Sequence, residues 1–124
     1  MPPDDKRILI ADDDPVILRL IQVNLELEGY EVLTANNGEE AVTKAMADHP
    51  DLVILDIMMP RLDGYQTCER LKESEDTRDI PIVFLSAKAQ QTDIDKGRSY
   101  GVEDYLTKPF DPSELLEVVE RLVN

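Results

Sequence analysis

The chain has little of what usually cross-links a small protein or binds zinc. It contains one cysteine, one histidine and no tryptophan in 124 residues. A single thiol, Cys68, excludes an internal disulfide and is typical of a reducing compartment. Cys68 is most simply a small buried residue on a helix. His49, directly before Pro50, is interpreted as a helix-end residue because no second histidine or clustered cysteine accompanies it.

Positive charge and long apolar segments are also scarce. The chain has 13 Lys and Arg residues against 27 Asp and Glu residues, a formal net charge of −14. Because this charge repels phosphates, we expect no direct binding to nucleic acid and no adsorption to anionic membranes. No apolar stretch approaches the roughly 20 residues that span a bilayer, and segment 1–6 lacks the apolar region of a signal peptide. We therefore expect a cytoplasmic protein.

What is present is typical of one soluble globular domain. Apolar residues make up 42% of the chain and charged residues 32%, which are ordinary proportions. The length suffices to bury a core, and there is no internal repeat, low-complexity segment or linker. We predict a single domain over residues 1–124.

Short apolar runs alternate with helical patterns along the whole chain. The runs predict five strands, at about 7–11, 30–35, 51–55, 80–85 and 102–106. Helices are predicted from Asp14-Pro15 to Gly29, from Asn37 to Pro50, and over about 64–73, 90–99 and 112–123. This order predicts an α/β fold with a doubly wound parallel sheet, flavodoxin-like, with strand order 2-1-3-4-5.

Apolar side chains recur at helical spacing in three of these helices. In the first they are Val16, Leu20, Val23 and Leu27. In the second the predicted inner face is Ala41, Val42, Ala45 and Met46, and in the last it is Leu115, Leu116, Val118, Val119 and Leu122. Asp14 and Asp111 are predicted N-caps, and Glu40 is placed for a capping box.

Four of the five predicted strands end in, or are followed by, a polar side chain of distinctive type. Strand one ends in Asp12 and Asp13, strand three in Asp56 and strand four in Ser86, and Lys108 follows strand five. Because parallel strands bring their carboxyl ends to one edge, we expect these groups to share one crevice. Each alone has an ordinary explanation, such as a loop acid or a surface lysine. Their combination predicts a site.

The chemistry of this set favours a divalent cation and a phosphoryl group. Carboxylate oxygens suit Mg²⁺, and like-charged pairs at about 4 Å repel by roughly 4 kcal/mol at an effective dielectric constant of about 20. A divalent cation and an ammonium group offset that repulsion, and they would also neutralise an arriving phosphoryl group. A carboxylate can accept such a group to give an acyl phosphate.

These residues lie in four motifs that resemble, in order, the response-regulator receiver domain of two-component signalling. The motifs are Ile8-Leu9-Ile10-Ala11-Asp12-Asp13-Asp14-Pro15, Leu55-Asp56-Ile57-Met58-Met59-Pro60 with Asp63-Gly64, Phe84-Leu85-Ser86-Ala87-Lys88, and Tyr105-Leu106-Thr107-Lys108-Pro109-Phe110. The resemblance covers about 6–123.

The resemblance implies a role for each acid at the site. Asp56 corresponds to the phosphoacceptor, which attacks the phosphohistidine of a histidine kinase or histidine phosphotransfer protein. Asp12, Asp13, Asp56 and the backbone carbonyl of Met58 correspond to the ligands of Mg²⁺, for which Mn²⁺ or Ca²⁺ can substitute.

The resemblance also implies how the phosphoryl group is held and reported. Lys108 corresponds to the lysine that pairs with phosphoryl oxygens, and its peptide bond to Pro109 is expected to be cis. The hydroxyl of Ser86 is expected to move toward the phosphoryl group, after which Tyr105 turns inward. The face formed by the fourth helix, fifth strand and fifth helix then changes and controls a downstream protein or effector domain. The receiver domain is expected either to act alone or to belong to a longer protein, and any effector domain is expected to lie outside this sequence.

Some positions depart from the family pattern. Met58 and Lys88 stand two residues beyond the acceptor and the hydroxyl, where the family varies. Because an apolar Met58 cannot orient an attacking water, we expect slow self-dephosphorylation. The last helix lacks the arginine that many DNA-binding relatives use near Val118 to dimerise. We therefore expect a monomer or a weak dimer.

Three alternatives compete with this interpretation. An aspartyl-nucleophile phosphohydrolase or phosphotransferase usually has a second acid two residues after the nucleophile, where this chain has Met58. A degenerate, non-phosphorylated interaction module would not need Asp56, Ser86 and Lys108. A flavin-binding module would place its phosphate against the acidic loop after strand one. We predict a switch that catalyses only its own phosphorylation and dephosphorylation, and not an enzyme with an independent substrate.

Overall fold

The computed structural model describes residues 6–123; residues 1–5 and 124 of the predicted domain lie outside this range. Five strands alternate with five helices. They are β1 (Arg7–Ala11), α1 (Pro15–Leu27), β2 (Glu31–Ala35), α2 (Gly38–Asp48), β3 (Leu52–Asp56), α3 (Gly64–Glu73), β4 (Ile82–Ser86), α4 (Gln91–Arg98), β5 (Asp104–Thr107) and α5 (Pro112–Val123). The sheet is parallel, with the order β2-β1-β3-β4-β5, which confirms the predicted fold.

Two hydrophobic layers cover the sheet, one on each face. Alternate strand residues point to opposite faces, so Ile8 and Ile10 pack with α1 and α5, whereas Leu9 packs with α2 and α3. The central strands β3 and β4 are buried along their whole length. Burial on both faces explains why these strands are continuous apolar runs. In the part of the chain that the structure describes, no helix has both the length and the apolar character of a membrane span.

The last two strands begin two residues later than predicted. Pro81 has no N–H to donate to the sheet, although its carbonyl accepts from the Val53 N–H at 3.0 Å. The regular pairing starts with Ile82 opposite Val53. In β5 the pairing runs from Asp104 to Thr107, where Thr107 lies opposite Ser86. Both corrections move the strands toward the carboxyl edge, where the site residues lie.

The buried face of α1 is not the stripe that the apolar spacing indicates. Val16 is 72% exposed and Leu27 is 80% exposed. The core instead receives Ile21 and Leu25, with Ile17 and Leu18 partly buried beside them. Both stripes have helical period, so spacing alone cannot choose between them. The contact with the sheet and α5 selects the face.

The other helices follow their predicted faces more closely. In α2, Ala41 and Ala45 are buried, but Met46 lies at the surface. In α5 the five predicted residues are buried or partly buried against the core. Glu40 binds the N–H of Asn36 instead of completing a capping box, which is present in α3 between Asp63 and Gln66.

Candidate functional site

The carboxyl edge of the sheet brings Asp12, Asp56 and Lys108 into direct contact. Asp12 follows β1 and Asp56 ends β3, which are neighbouring strands. The Lys108 Nζ atom lies 3.0 Å from Asp12 Oδ2 and 3.4 Å from Asp56 Oδ2. Lys108 reaches this place from the end of β5, where its N–H donates to the Ser86 carbonyl at 2.7 Å. Its peptide bond to Pro109 is cis.

Backbone groups orient the two buried carboxylates. Asp12 is fully buried, and its Oδ1 accepts from the Asp14 N–H at 2.9 Å. Asp56 is 4% exposed, and its Oδ1 accepts from the Met58 N–H at 3.3 Å. Each side chain therefore keeps one oxygen on a backbone N–H and turns the other toward Lys108.

Three carboxylates at this edge could hold a metal ion. One oxygen each from Asp12, Asp13 and Asp56 lies within 4.8 Å of the others, and Asp13 is exposed to solvent. Two buried acids and one accessible acid form an oxygen-only donor set open on one side. That set suits Mg²⁺, which binds one or two carboxylates and keeps several waters.

The local electrostatics also favour an added cation. Burial, and secondarily the charge of Asp12, raise the pKa of Asp56 from 3.8 to about 7, although Lys108 partly opposes the shift. Burial by itself would lower the pKa of Lys108, but its hydrogen bond to Asp12 and the charge of Asp56 outweigh burial and raise it. Lys108 therefore stays protonated, yet one ammonium does not balance three carboxylates. A divalent cation would fit the remaining negative charge.

Ser86 and Tyr105 both hold the backbone of Lys88. Ser86 is fully buried, and its Oγ accepts from the Lys88 N–H at 3.1 Å. The Tyr105 hydroxyl donates to the Lys88 carbonyl at 2.8 Å. Tyr105 is 7% exposed, so its ring lies inward while Ser86 still holds the Lys88 N–H; the family resemblance places the inward ring after the movement of Ser86. One backbone segment thus connects the predicted hydroxyl with the predicted switch aromatic.

Two glycines have roles at the site that the sequence pattern did not reveal. A Cβ at Gly64 would lie 2.7 Å from both the Asp56 carbonyl oxygen and Ile57 Cα, so α3 can start against the acceptor only with glycine there. Asp63-Gly64 had the pattern of a turn, and it is the cap and first residue of α3. Gly97 lies against Tyr105. Its position inside a predicted helix, where glycine is unfavourable, was the available signal.

The residues after Asp56 differ in accessibility from the acceptor. The Met58 side chain is 60% exposed, whereas Ile57 and Met59 are buried. Met58 therefore lies at the surface, two residues from the buried Asp56. The structure brings together Asp12, Asp13, Asp56 and Lys108, and it connects Ser86 with Tyr105 beside them.

Comparison with known proteins identifies the family of the chain. The family model of the response regulator receiver domain matches residues 8–120. The chain is 46% identical over 117 residues to the DNA-binding dual master transcriptional regulator RpaA of Synechocystis, covering 94% of this chain and 48% of that protein. It is 45% identical over 111 residues to the alkaline phosphatase synthesis transcriptional regulatory protein PhoP of Bacillus subtilis, covering 90% of this chain and 45% of that protein.

The chain is also similar to solved structures. The receiver domain of a sensor histidine kinase from Pseudomonas aeruginosa, which has a magnesium ion coordinated in its active site cleft, superposes with a TM-score of 0.88 at 34% identity. The match covers 95% of this chain and 97% of that one. The chain thus spans about half the length of the two transcriptional regulators and nearly all of an isolated receiver domain. It belongs to the response regulator receiver domain family of two-component systems.

Proposed function

We propose that this chain is a phosphorylation switch in which Asp56 accepts a phosphoryl group from a histidine kinase or a histidine phosphotransfer protein. Response regulators of two-component systems receive phosphate from histidine kinases. The observation that carries the proposal is the position of Lys108 Nζ, within 3.4 Å of carboxylate oxygens on both Asp12 and Asp56. This ammonium stands where the charge of a phosphoryl group on Asp56 would develop.

The transfer needs one nucleophile and one leaving group. One carboxylate oxygen of Asp56 attacks phosphorus, forming an O–P bond while the N–P bond to the donor histidine breaks. The imidazole nitrogen leaves with the electron pair of that bond. Lys108 is placed to pair with the transferred oxygens, and the Ser86 hydroxyl is a suitable donor to one of them. Asp56 is anionic, as a nucleophile must be, once its raised pKa is offset by an added cation.

Asp12, Asp13, Asp56 and the Met58 carbonyl would hold the metal ion. Receiver domains typically bind Mg²⁺, and the carboxylate cluster has the required oxygen donors. When bound, Mg²⁺ supplies positive charge that reduces repulsion among the carboxylates and toward the phosphoryl oxygens. Mn²⁺ and Ca²⁺ offer the same kind of charge to the same oxygens.

The response is proposed to pass from Ser86 to Tyr105 through Lys88. When Ser86 turns toward a phosphoryl oxygen, its bond to the Lys88 N–H is lost, and the Lys88 segment is free to shift while its carbonyl still accepts from the inward Tyr105 hydroxyl. The balance between two positions of that loop then changes the face formed by α4, β5 and α5. That face would control a downstream protein or effector domain.

The exposed apolar stripe of α1 supports a helical partner. Val16, Leu20 and Leu27 are 72%, 43% and 80% exposed, Val23 is partly buried, and Val16 lies in the first turn of α1, directly after the carboxyl end of β1. The spacing of Val16, Leu20, Val23 and Leu27 is the four–three–four repeat of a helix–helix seam. This stripe is proposed as the contact for a helix of the kinase or phosphotransfer protein.

Acetyl phosphate tests the central step without a partner protein. The chain is incubated with acetyl phosphate and Mg²⁺, and its intact mass is measured. We expect one added phosphoryl group in the parent and in Asp51→Asn, which alters an acid at the opposite edge of the sheet. The gain should be absent in Asp56→Asn and in the presence of a chelator.

The same experiment separates the alternatives. A parent that gains no mass with any phosphodonor would match a degenerate interaction module and contradict the proposal. Continuous release of phosphate, without a detectable adduct on Asp56, would instead support a phosphohydrolase. The exposed, apolar Met58 side chain argues against such turnover because it cannot act as an acid or base.

A further inference from the structure

Gly97 faces the ring of Tyr105 at a distance that leaves no room for a side chain. A Cβ at Gly97 would lie 2.6 Å from Tyr105 Cδ2 and 2.7 Å from Tyr105 Cε2. It would also lie 3.3 Å from Phe84 Cδ2. Carbon atoms in contact are normally about 3.5–4.0 Å apart. The inward ring of Tyr105 therefore occupies the place that any larger residue at position 97 would need.

The other residues around Gly97 are held in place and could not easily move to make room for a side chain at position 97. Phe84 is fully buried in the centre of the sheet. The residue before Gly97, Lys96, places its Nζ 4.4 Å from the centroid of the Tyr65 ring. Tyr100, just after α4, stacks on Tyr65 with ring centroids 4.8 Å apart. These contacts anchor the end of α4 to α3. Tyr105 is 7% exposed and so borders the solvent, whereas Phe84 is fully buried. Tyr105 is therefore the neighbour of Gly97 that can move outward.

We propose that Gly97 is a positioning residue for Tyr105, and that the size of residue 97 sets the balance between the inward and outward positions of that ring. The proposal rests on the proposed function, in which Tyr105 reports the state of Asp56. The three heavy atoms nearest to a Cβ at Gly97 belong to Tyr105 and Phe84, and none belongs to Asp56 or Lys108. We expect the size of residue 97 to act on whether the Tyr105 hydroxyl can reach the Lys88 carbonyl.

Helix propensity makes the opposite prediction, which sharpens the test. Alanine is more favourable than glycine inside a helix, so Gly97→Ala should raise stability if nothing else changed. We expect it instead to lower the denaturant midpoint, because the added methyl group collides with Tyr105. In a chain that already carries Tyr105→Ala, adding Gly97→Ala should leave the denaturant midpoint unchanged or raise it, relative to Tyr105→Ala alone.

The position of Tyr105 can be read directly by NMR. The chain has four tyrosines, so labelling the tyrosine ring ε carbons with ¹³C gives few signals, and Tyr105→Phe assigns the one of interest. In the parent, we expect this signal to be shielded from a soluble gadolinium chelate. In Gly97→Ala it should shift and relax strongly in the presence of the chelate, while the Tyr30 signal stays unchanged.

Gly101→Ala is the matched control. Gly101 has φ +80° and no atom within 4 Å of an added Cβ, so alanine there is strained without touching Tyr105. It should lower stability and leave the Tyr105 signal in place. If Gly97→Ala is folded and its Tyr105 remains as shielded as in the parent, the proposal is wrong.

The remaining outcomes also decide the question. If Gly97→Ala does not fold, recovery of folding by added Tyr105→Ala supports the proposal, whereas failure of the double variant overturns it by assigning the need for glycine to other neighbours. Acetyl phosphate labelling is measured separately. A parent that gains no mass refutes the proposed function, while the position of Tyr105 in Gly97→Ala still reports on the role of residue 97.

Discussion

The two edges of the sheet are both rich in acids, yet only one has the arrangement of a reactive site. At the amino edge, a cleft of about 260 Å³ is lined by Pro50, Asp51, Glu75, Asp76, Asp79, Ile80 and Pro81. Glu75, Asp76 and Asp79 are exposed, and Asp51 accepts from the Arg7 N–H at 2.8 Å. Glu75 also lies 3.8 Å from Arg78 Nη2, so these acids face solvent, an arginine or a backbone N–H.

At the carboxyl edge, by contrast, the charges are buried and face one another. Asp12 and Asp56 share Lys108, and burial raises the pKa of Asp56 to about 7. Within residues 6–123, the metal-binding geometry was found at this edge and not at the other. The difference teaches that burial and a shared ammonium group, more than the number of acids, distinguish the proposed reactive site from the other edge.

Among the substitutions considered, removal of Lys108 should reduce the reactivity of the carboxyl edge most strongly. Lys108→Ala takes away the cation beside Asp56, so the rate of labelling by acetyl phosphate should fall about 100-fold or more. The rate is measured by intact mass over time at saturating Mg²⁺. Lys44→Ala, which removes a lysine paired with Glu40 on α2, should label at the parent rate. Labelling of Lys108→Ala at the parent rate would contradict the assigned role.

The raised pKa of Asp56 predicts a pH-dependent stability without divalent cations. Between about pH 4 and 7 the folded chain holds a proton that the unfolded chain has released, so stability falls as pH rises through this window. The loss, complete above about pH 7, is on the order of 2–4 kcal/mol. Asp56→Asn should remove it, matching the parent near pH 4 and exceeding it near pH 8.

Urea denaturation in the presence of a chelator measures this effect. Asp51→Asn serves as the control from the amino edge and should show no gain that grows with pH. If Asp56→Asn is more stable than the parent by the same amount near pH 4 and near pH 8, the effect comes from packing or helix contacts and not from ionisation. Added Mg²⁺ should reduce the difference between the parent and Asp56→Asn by stabilising the parent.

Asp12→Asn should weaken Mg²⁺ binding by roughly tenfold or more, which corresponds to about 1.4 kcal/mol. The reason is that one buried, charged ligand becomes a neutral amide. Calorimetric titration with Mg²⁺ gives the dissociation constant. Asp79→Asn removes the same charge from the amino edge and should leave the constant nearly unchanged. Equal weakening in both variants would mean that total charge, and not the site, governs binding.

Met58→Asn should give the smallest effect, a shorter life of the phosphorylated form. An amide two residues after the acceptor can orient an attacking water, which an apolar side chain cannot. We expect dephosphorylation to accelerate roughly threefold, equivalent to about 0.7 kcal/mol. Mass spectrometry after removal of the donor follows the decay. Met46→Asn changes a partly exposed methionine on α2 and should not alter it. A parent half-life of seconds would contradict the expected slow decay.

Much of this arrangement could be predicted from the residue pattern. The strands and helices were predictable because apolar runs and helical spacings repeat with clear caps, such as Asp14 at α1. Asp12, Asp56 and Lys108 could be assigned to one edge because parallel strands carry their ends to the same side. The limits of β4 and β5 were less predictable, since Pro81 is apolar enough to resemble a strand residue but cannot donate to the sheet.

The sequence by itself determined the order of elements, the parallel sheet and the set of charged groups at its carboxyl edge, because all three follow from local pattern and chain direction. Only the tertiary structure decided which face of α1 is buried, since both of its apolar stripes have helical period and contact with the sheet selects one. It also decided that Gly97 lies against Tyr105. Such contacts join residues from different elements at distances of a few ångströms, and no periodicity in one element encodes them.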